Sequence, residues 1–174
     1  MTPEDRSSGG SQDLQSAQDM QTPQDLQALQ TLIDRSATSA GPAAADSLAY
    51  PARQMSAAEL VEFWQSVRLV AMATVGENGS PHIAPVHARL DGIRLRLVIY
   101  DNTLRRRDIA ANPKVAFTTW RADGAAAIVY GVAREVADSR RPARAAQSGN
   151  SRGVIELEVK LTRVYAMRPP KRAP

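Results

Sequence analysis

Two runs of residues flanking Asp91-Gly92 constrain the fold of this chain most. Pro81 to Leu90 and Ile93 to Tyr100 both read as strands, and Asp-Gly is favoured in a two-residue hairpin loop, whose central positions need positive φ. In the second run Ile93, Leu95, Leu97 and Ile99 share one face, while Arg94, Arg96, Val98 and Tyr100 take the other. Such alternation marks a strand with one buried side, and therefore an antiparallel hairpin laid over a core.

The neighbouring segments extend this pattern. Leu69 to Val75 is a largely apolar run ended by Gly76-Glu77-Asn78-Gly79, strong turn chemistry. Lys114 to Trp120 reads as a strand, Arg121-Ala122-Asp123-Gly124 as a turn, and Ala125 to Val136 as the strand that follows. In the last strand Ile155, Leu157, Val159 and Leu161 alternate with Glu156, Glu158 and Lys160; the parity then slips near Thr162-Arg163, as a β-bulge would cause. A Ser/Arg/Pro/Gly-rich stretch, Ser139 to Gly153, reads as a mobile loop.

Two helices interrupt the strands. Ser56 and Glu59 have capping-box spacing, Met55 and Leu60 are placed as its hydrophobic staple, and Leu60, Phe63, Trp64 and Val67 follow helical spacing. Thr103 caps a second short helix that stops at Asn112-Pro113. Six strands and two short helices predict a mainly β, antiparallel barrel. The first fifty residues repeat Gln-Asp-Leu or Gln-Asp-Met and then turn Ala/Ser/Gly/Pro-rich. Thr22-Pro23 has the chemistry of a helix start before Leu26, Leu29 and Ile33, but so thin an apolar face predicts a disordered low-complexity tail over 1–50 and a folded domain over 51–174.

Composition removes several function classes. The 174 residues contain no cysteine, which excludes disulfides, thiolate metal sites and a cysteine nucleophile. With His82 and His87 the only histidines, no multi-histidine metal cage is expected. No continuous apolar run is long enough to span a membrane, and the start of the chain lacks the basic-then-apolar pattern of a secretory signal, so a cytoplasmic protein is expected. The net charge of +4 suits a polyanionic or phosphorylated partner. Aromatic residues make up 5% of the chain, which leaves few stacking platforms and argues against nucleic acid as a partner. No Ser-His-Asp or paired-carboxylate arrangement stands out, so no catalytic residue is assigned.

Ala73-Thr74-Val75, followed by Gly79-Ser80-Pro81-His82-Ile83-Ala84-Pro85-Val86, resembles the opening of the FMN-binding split-barrel family, the pyridoxamine 5'-phosphate oxidase-like proteins. The likeness continues through Asp91-Gly92, the Thr103-x-Arg105 pair, Asn112-Pro113-Lys114-Val115-Ala116, and Gly131-x-Ala133 with Val136, and covers about residues 56–168. It implies a six-stranded split barrel that binds FMN as a homodimer and works as an oxidoreductase. On that resemblance Thr103 and Arg105 match the Ser/Thr and Lys that grip the FMN phosphate, with Arg106 beside them and Arg89 as a further basic contact. The backbone of Ile83, Ala84, Pro85 and Val86 would meet the pyrimidine edge of the ring, Ile99 and Tyr100 the phosphate end, and Trp120 a pocket wall or the dimer interface. His87 is the better pocket candidate, and His82 is expected at the surface.

The chain departs from the family's oxidases at Ala84 and Ala126, where they carry Arg and Gln, which implies a weaker grip on FMN or a different flavin. It also lacks their C-terminal pyridoxal-phosphate grip, so vitamin B6 oxidation is not expected. Two alternatives accompany the resemblance. One is an F420 deazaflavin reductase on the same fold. The other is a non-enzymatic binder, of haem through His87 or of nucleic acid through Arg94, Arg96, Arg105, Arg106 and Arg107.

Overall fold

In a computed structural model, which describes residues 21–142 and 153–170, the strand alternation becomes the wall of a curled antiparallel sheet. Its strands are β1 (Val70–Val75), β2 (Pro81–Val86), β3 (Ala88–Asp91), β4 (Arg94–Tyr100), β5 (Lys114–Trp120), β6 (Ala126–Glu135) and β8 (Gly153–Met167), with the two-residue β7 (Arg141–Pro142) beside β8. Leu95, Leu97 and Ile99 of β4 point into the core with Met72, Phe117, Val129, Leu157 and Val159, while Arg94, Val98 and Tyr100 face out.

The strand count differs from the expected six because the run 81–90 breaks at His87. The sheet order is β2-β1-β5-β6-β8-β4-β3, so the two pieces of that run lie at its opposite edges. One residue thus joins the two edges through the chain without pairing them by hydrogen bonds, and the barrel stays split. The hairpin also shifts by one position. Asp91 pairs with Arg94, so the loop is Gly92-Ile93, with Gly92 at φ 53°.

The bulge falls where the parity slip predicts it. Tyr130 pairs with Arg163 and Gly131 with Leu161, which leaves Thr162 as the extra residue. The expected mobile loop falls mostly on 143–152, outside the described residues.

Four helices are described rather than two: α1 (Pro23–Thr38), α2 (Pro42–Leu48), α3 (Ala57–Ser66) and α4 (Leu104–Ala111). α3 has the reciprocal Ser56–Glu59 capping box and buries Leu60, Phe63 and Trp64. Trp64 Nε1 also donates to the carbonyl of Ala88 at 2.8 Å, which covers the edge strand β3.

The expected disorder over 1–50 is corrected from Pro23 onward; residues 1–20 lie outside the described part. Thr22 and Asp25 form a capping box, and Leu29, Leu32, Ile33 and Ser36 recur at helical spacing as a buried stripe. Leu32 and Ser36 make the face wide enough to dock. β4 pairs with β8 only from Val154 to Lys160, and α1 packs against β8, where Ser36 serves the Val164 N–H. Residues 53–55 cover the far end of β8: Met55 N–H donates to Ala166 O at 2.8 Å, and Arg168 N–H to Arg53 O at 2.7 Å.

Candidate functional site

Helix α4 begins where β4 ends, and its first turn is unusual for a protein surface. It carries Arg105 and Arg106 and no acidic residue, although cations there oppose the helix dipole by about 0.3–1 kcal/mol each. Thr103 occupies the N-cap but makes no side-chain cap; its hydroxyl instead donates to Tyr100 O at 3.0 Å. The first-turn amides therefore lack the usual side-chain acceptor. Arg105 is half-buried, and its Nε is enclosed without a hydrogen-bond partner.

Arg106 is arranged differently. Its Nε donates to Glu135 Oε1 at 2.6 Å, its Nη2 to Oε2 at 3.2 Å, and its Nη1 to Asp101 O at 3.2 Å. Of the two arginines expected to meet a phosphate, Arg105 has a spare donor, and Arg106 is already held by an internal carboxylate.

The other expected contacts are spread around the split. β2 is an edge strand, paired along its length with β1 and open on the other side, so part of the backbone of Ile83, Ala84, Pro85 and Val86 faces that edge. The Ile83 side chain is 74% exposed, whereas Val86 is buried. Ile99 is core at 3% exposure and its backbone is paired with Ile155 of β8, so it offers a ligand neither side chain nor backbone; Tyr100 is partly exposed at the start of the turn into α4.

Arg89 lies on β3 opposite Arg96, level with a position about 13 Å down β4 from Tyr100 at the rise of a strand. It borders a cleft of about 840 Å³ between α3 and the β3–β4 hairpin, lined also by Arg68, His87, Trp64, Leu97 and Val98. Among the described residues Arg68 and Arg89 have no acidic partner. His87, the expected pocket histidine, is one of the residues along this cleft.

Trp120 does not reach α4. It is 67% exposed on the outer face of the sheet, over a cavity of about 420 Å³ shared with Leu69, Ile83 and Pro85. A second apolar hollow of about 240 Å³, lined by Ala71, Ala73, Ala116 and Ile128, adjoins it through Ile83.

The arginine stripe considered for nucleic acid is largely neutralised. Arg96 contacts Asp91, Glu156 and Glu158 at 3.2–3.4 Å, and Arg94 lies 3.8 Å from Glu158. Glu158 is 7% exposed, and its carboxyl is held below the usual range, first by hydrogen bonds from Arg134. With Arg106 on Glu135, three of the five arginines in that stripe carry carboxylates.

One cluster escaped the sequence reading. His82, expected at the surface, is half-buried and bonded to Asp108 of α4, which also accepts from Thr74 of β1. Its sequence signal was Thr74, a polar residue at inward parity behind Val70 and Met72.

The pyridoxamine 5'-phosphate oxidase family matches residues 56–168. Among solved structures, the chain is similar to a conserved hypothetical protein from Mycobacterium tuberculosis, at 19% identity and TM-score 0.55, over 70% of this chain and 93% of that one. It is similar to the General Stress Protein 26 of Bacillus anthracis, at 20% identity and TM-score 0.53, over 67% and 97%. A third is the haem storage protein HutZ of Vibrio cholerae, at 14% identity and TM-score 0.50, over 63% and 93%. These likenesses are of fold. No curated protein matches the chain in sequence.

Proposed function

Since the chain belongs to the pyridoxamine 5'-phosphate oxidase family, we propose that it binds a phosphorylated flavin, FMN, and acts as an oxidoreductase on a small substrate. The observation that carries this reading is the first turn of α4, where an enclosed Arg105 Nε without a partner stands beside amides that no side chain caps. A phosphate monoester brings nearly two negative charges and three acceptor oxygens. Helix-start amides and a guanidinium fork supply the matching donors, and the anion offsets the unfavourable placement of cations at this end of the helix.

The rest of the site is consistent with an extended ligand. The open edge of β2 offers backbone groups to the pyrimidine side of a ring, and the cleft beside β3 adds Arg89, His87 and an apolar wall. When bound, the flavin supplies hydride transfer, and the protein's task is to hold, orient and shield it.

The same reading assigns the apolar outer face to a second copy of the chain. Leu69, Val75, Ile83 and Trp120 are exposed together on neighbouring strands, and burying them in a homodimer would remove a surface that monomers rarely leave open.

The test is the absorption spectrum and mass of the small molecule that copurifies, with the mass of the protein in solution. A yellow chromophore of FMN mass on a dimer is the expected result. Colourless protein that takes up no added FMN would overturn the reading, and a haem or deazaflavin spectrum would replace the cofactor.

A further inference from the structure

A buried polar cluster stands apart from the arginines. Thr74 of β1 is 1% exposed and Asp108 of α4 is 4% exposed. Thr74 Oγ1 donates to Asp108 Oδ2 at 2.6 Å, and His82 Nδ1 on β2 lies 2.8 Å from the same oxygen. Thr74 and His82 are direct cross-strand partners, so their side chains leave the sheet on one face and converge on the helix. An ionised carboxylate only accepts hydrogen bonds, so Nδ1 carries the imidazole proton.

Burial alone would raise the Asp108 carboxyl; the bonds from Thr74 and His82, together with the charges of His82 and nearby Arg107, outweigh it and hold the group below its ordinary range. Gly76 closes the cluster from the turn after β1: a Cβ there would sit 3.2 Å from His82 Cε1 and 3.4 Å from Asp108 Oδ1.

This cluster decides how α4 sits on the barrel. Asp108 and Ile109 are the buried residues of that helix, so one carboxylate and one apolar side chain anchor it. Ile109 supplies contact without direction, whereas the paired hydrogen bonds to Asp108 fix the helix about its own axis. Arg105 lies three residues before Asp108, on the same side of the helix. On the other partner, His82 immediately precedes Ile83–Val86, the edge segment of β2.

Resting on the flavin reading above, we propose that His82 is a positioning residue, which through Asp108 and Thr74 fastens the phosphate-binding helix to the edge strand that meets the ring. The two halves of the site then keep a fixed separation, and a flavin that bridges them meets a preformed geometry.

The test compares the full-length protein with His82→Ala, His82→Asn and Gly76→Ala. Asparagine keeps an N–H donor close to the place of Nδ1, and Gly76→Ala crowds the imidazole while leaving it in place. Affinities for FMN and for riboflavin, which lacks the phosphate, are measured by flavin fluorescence, and amide exchange is followed over residues 104–111. His82→Ala should weaken FMN about tenfold, the loss of one hydrogen bond to a charged group, and leave riboflavin unchanged. The α4 amides should exchange faster while those of β6 and β8 do not. His82→Asn should recover most of both effects, and Gly76→Ala should show a smaller loss with the same FMN-over-riboflavin bias.

Equal weakening of both ligands, undiminished FMN affinity in His82→Ala, or no recovery in His82→Asn would overturn the proposal. If the wild type takes up no flavin, the flavin reading fails on its own. In that case unchanged α4 exchange in His82→Ala would overturn the fastening as well, and faster exchange recovered by His82→Asn would support it.

Discussion

The Ser36 hydroxyl accepts a hydrogen bond from the Val164 N–H at 2.9 Å while it donates to Leu32 O at 2.7 Å. It stands where β8 has outrun its pairing with β4, and at 2% exposure no water replaces it. A helix upstream of the family-matching region thus completes the hydrogen bonding of a barrel strand. Ser36→Ala should leave a buried N–H unpaired and cost about 1–3 kcal/mol, read as a lower urea midpoint at unchanged slope. A midpoint equal to the wild type would mean that α1 is dispensable to β8.

The features legible in the sequence were those encoded by near neighbours. The Ser56–Glu59 capping box, the alternation of 94–100 and the parity slip at Thr162 each need only a few adjacent residues, and each is found in the fold. Where partners are distant in the chain, the sequence was mute. Leu32 and Ser36 complete the buried stripe of α1 only against β8, and nothing local distinguishes Arg106, claimed by Glu135, from Arg105. The break at His87 was hidden for another reason: a strand that passes from one sheet edge to the other keeps its strand-like composition throughout. Asp108, Thr74 and His82 lie on three separate elements and meet only in the folded chain.

Gly131 sits against the bulge, and a Cβ there would come within 2.6 Å of both the Lys160 carbonyl oxygen and Val159 Cγ1. The oxygen belongs to the backbone of the longest strand and cannot swing aside. Gly131→Ala should therefore destabilise by about 1–3 kcal/mol, the usual cost of overpacking, even though alanine favours most other positions over glycine. Thermal unfolding measures it, and an unchanged midpoint would show that β6 and β8 separate there at little cost.

Glu59 links acid stability to the C-terminal end of β8. Arg168 donates to both of its oxygens at 2.8 Å, and the Ser56 N–H adds a third bond at 2.7 Å. Chiefly through the Arg168 bonds, its carboxyl is pushed down to about 2 from an ordinary 4.5. Because the folded value is the lower one, this contribution is complete above about pH 4.5 and is lost as pH falls toward 2. Both side chains are nearly half exposed, so solvent screening keeps the effect to about 0.5–1 kcal/mol. Glu59→Gln retains an acceptor for the Ser56 cap and loses the charge. Its stability deficit should be present at pH 7, shrink with added salt, and vanish near pH 2; a deficit independent of pH would assign it to the cap instead.

Arg105 and Glu135 should move FMN affinity in opposite directions. Arg105 has an enclosed donor without a partner, and Arg105→Ala should weaken FMN by on the order of ten- to a hundredfold, from a charge-assisted contact of about 1.5–3 kcal/mol. Arg106 already shares its charge with Glu135 at 2.6 Å, so a phosphate at the start of α4 meets a carboxylate beside its expected ligand. Glu135→Gln removes that negative charge and frees the Arg106 guanidinium toward the anion. It should tighten FMN several-fold at low salt, with the gain fading as salt screens it. Riboflavin, without the phosphate, should respond to neither substitution. If Arg105→Ala retains full FMN affinity, the phosphate is gripped elsewhere, and the unpaired Arg68 and Arg89 of the β3 cleft become the groups to replace next.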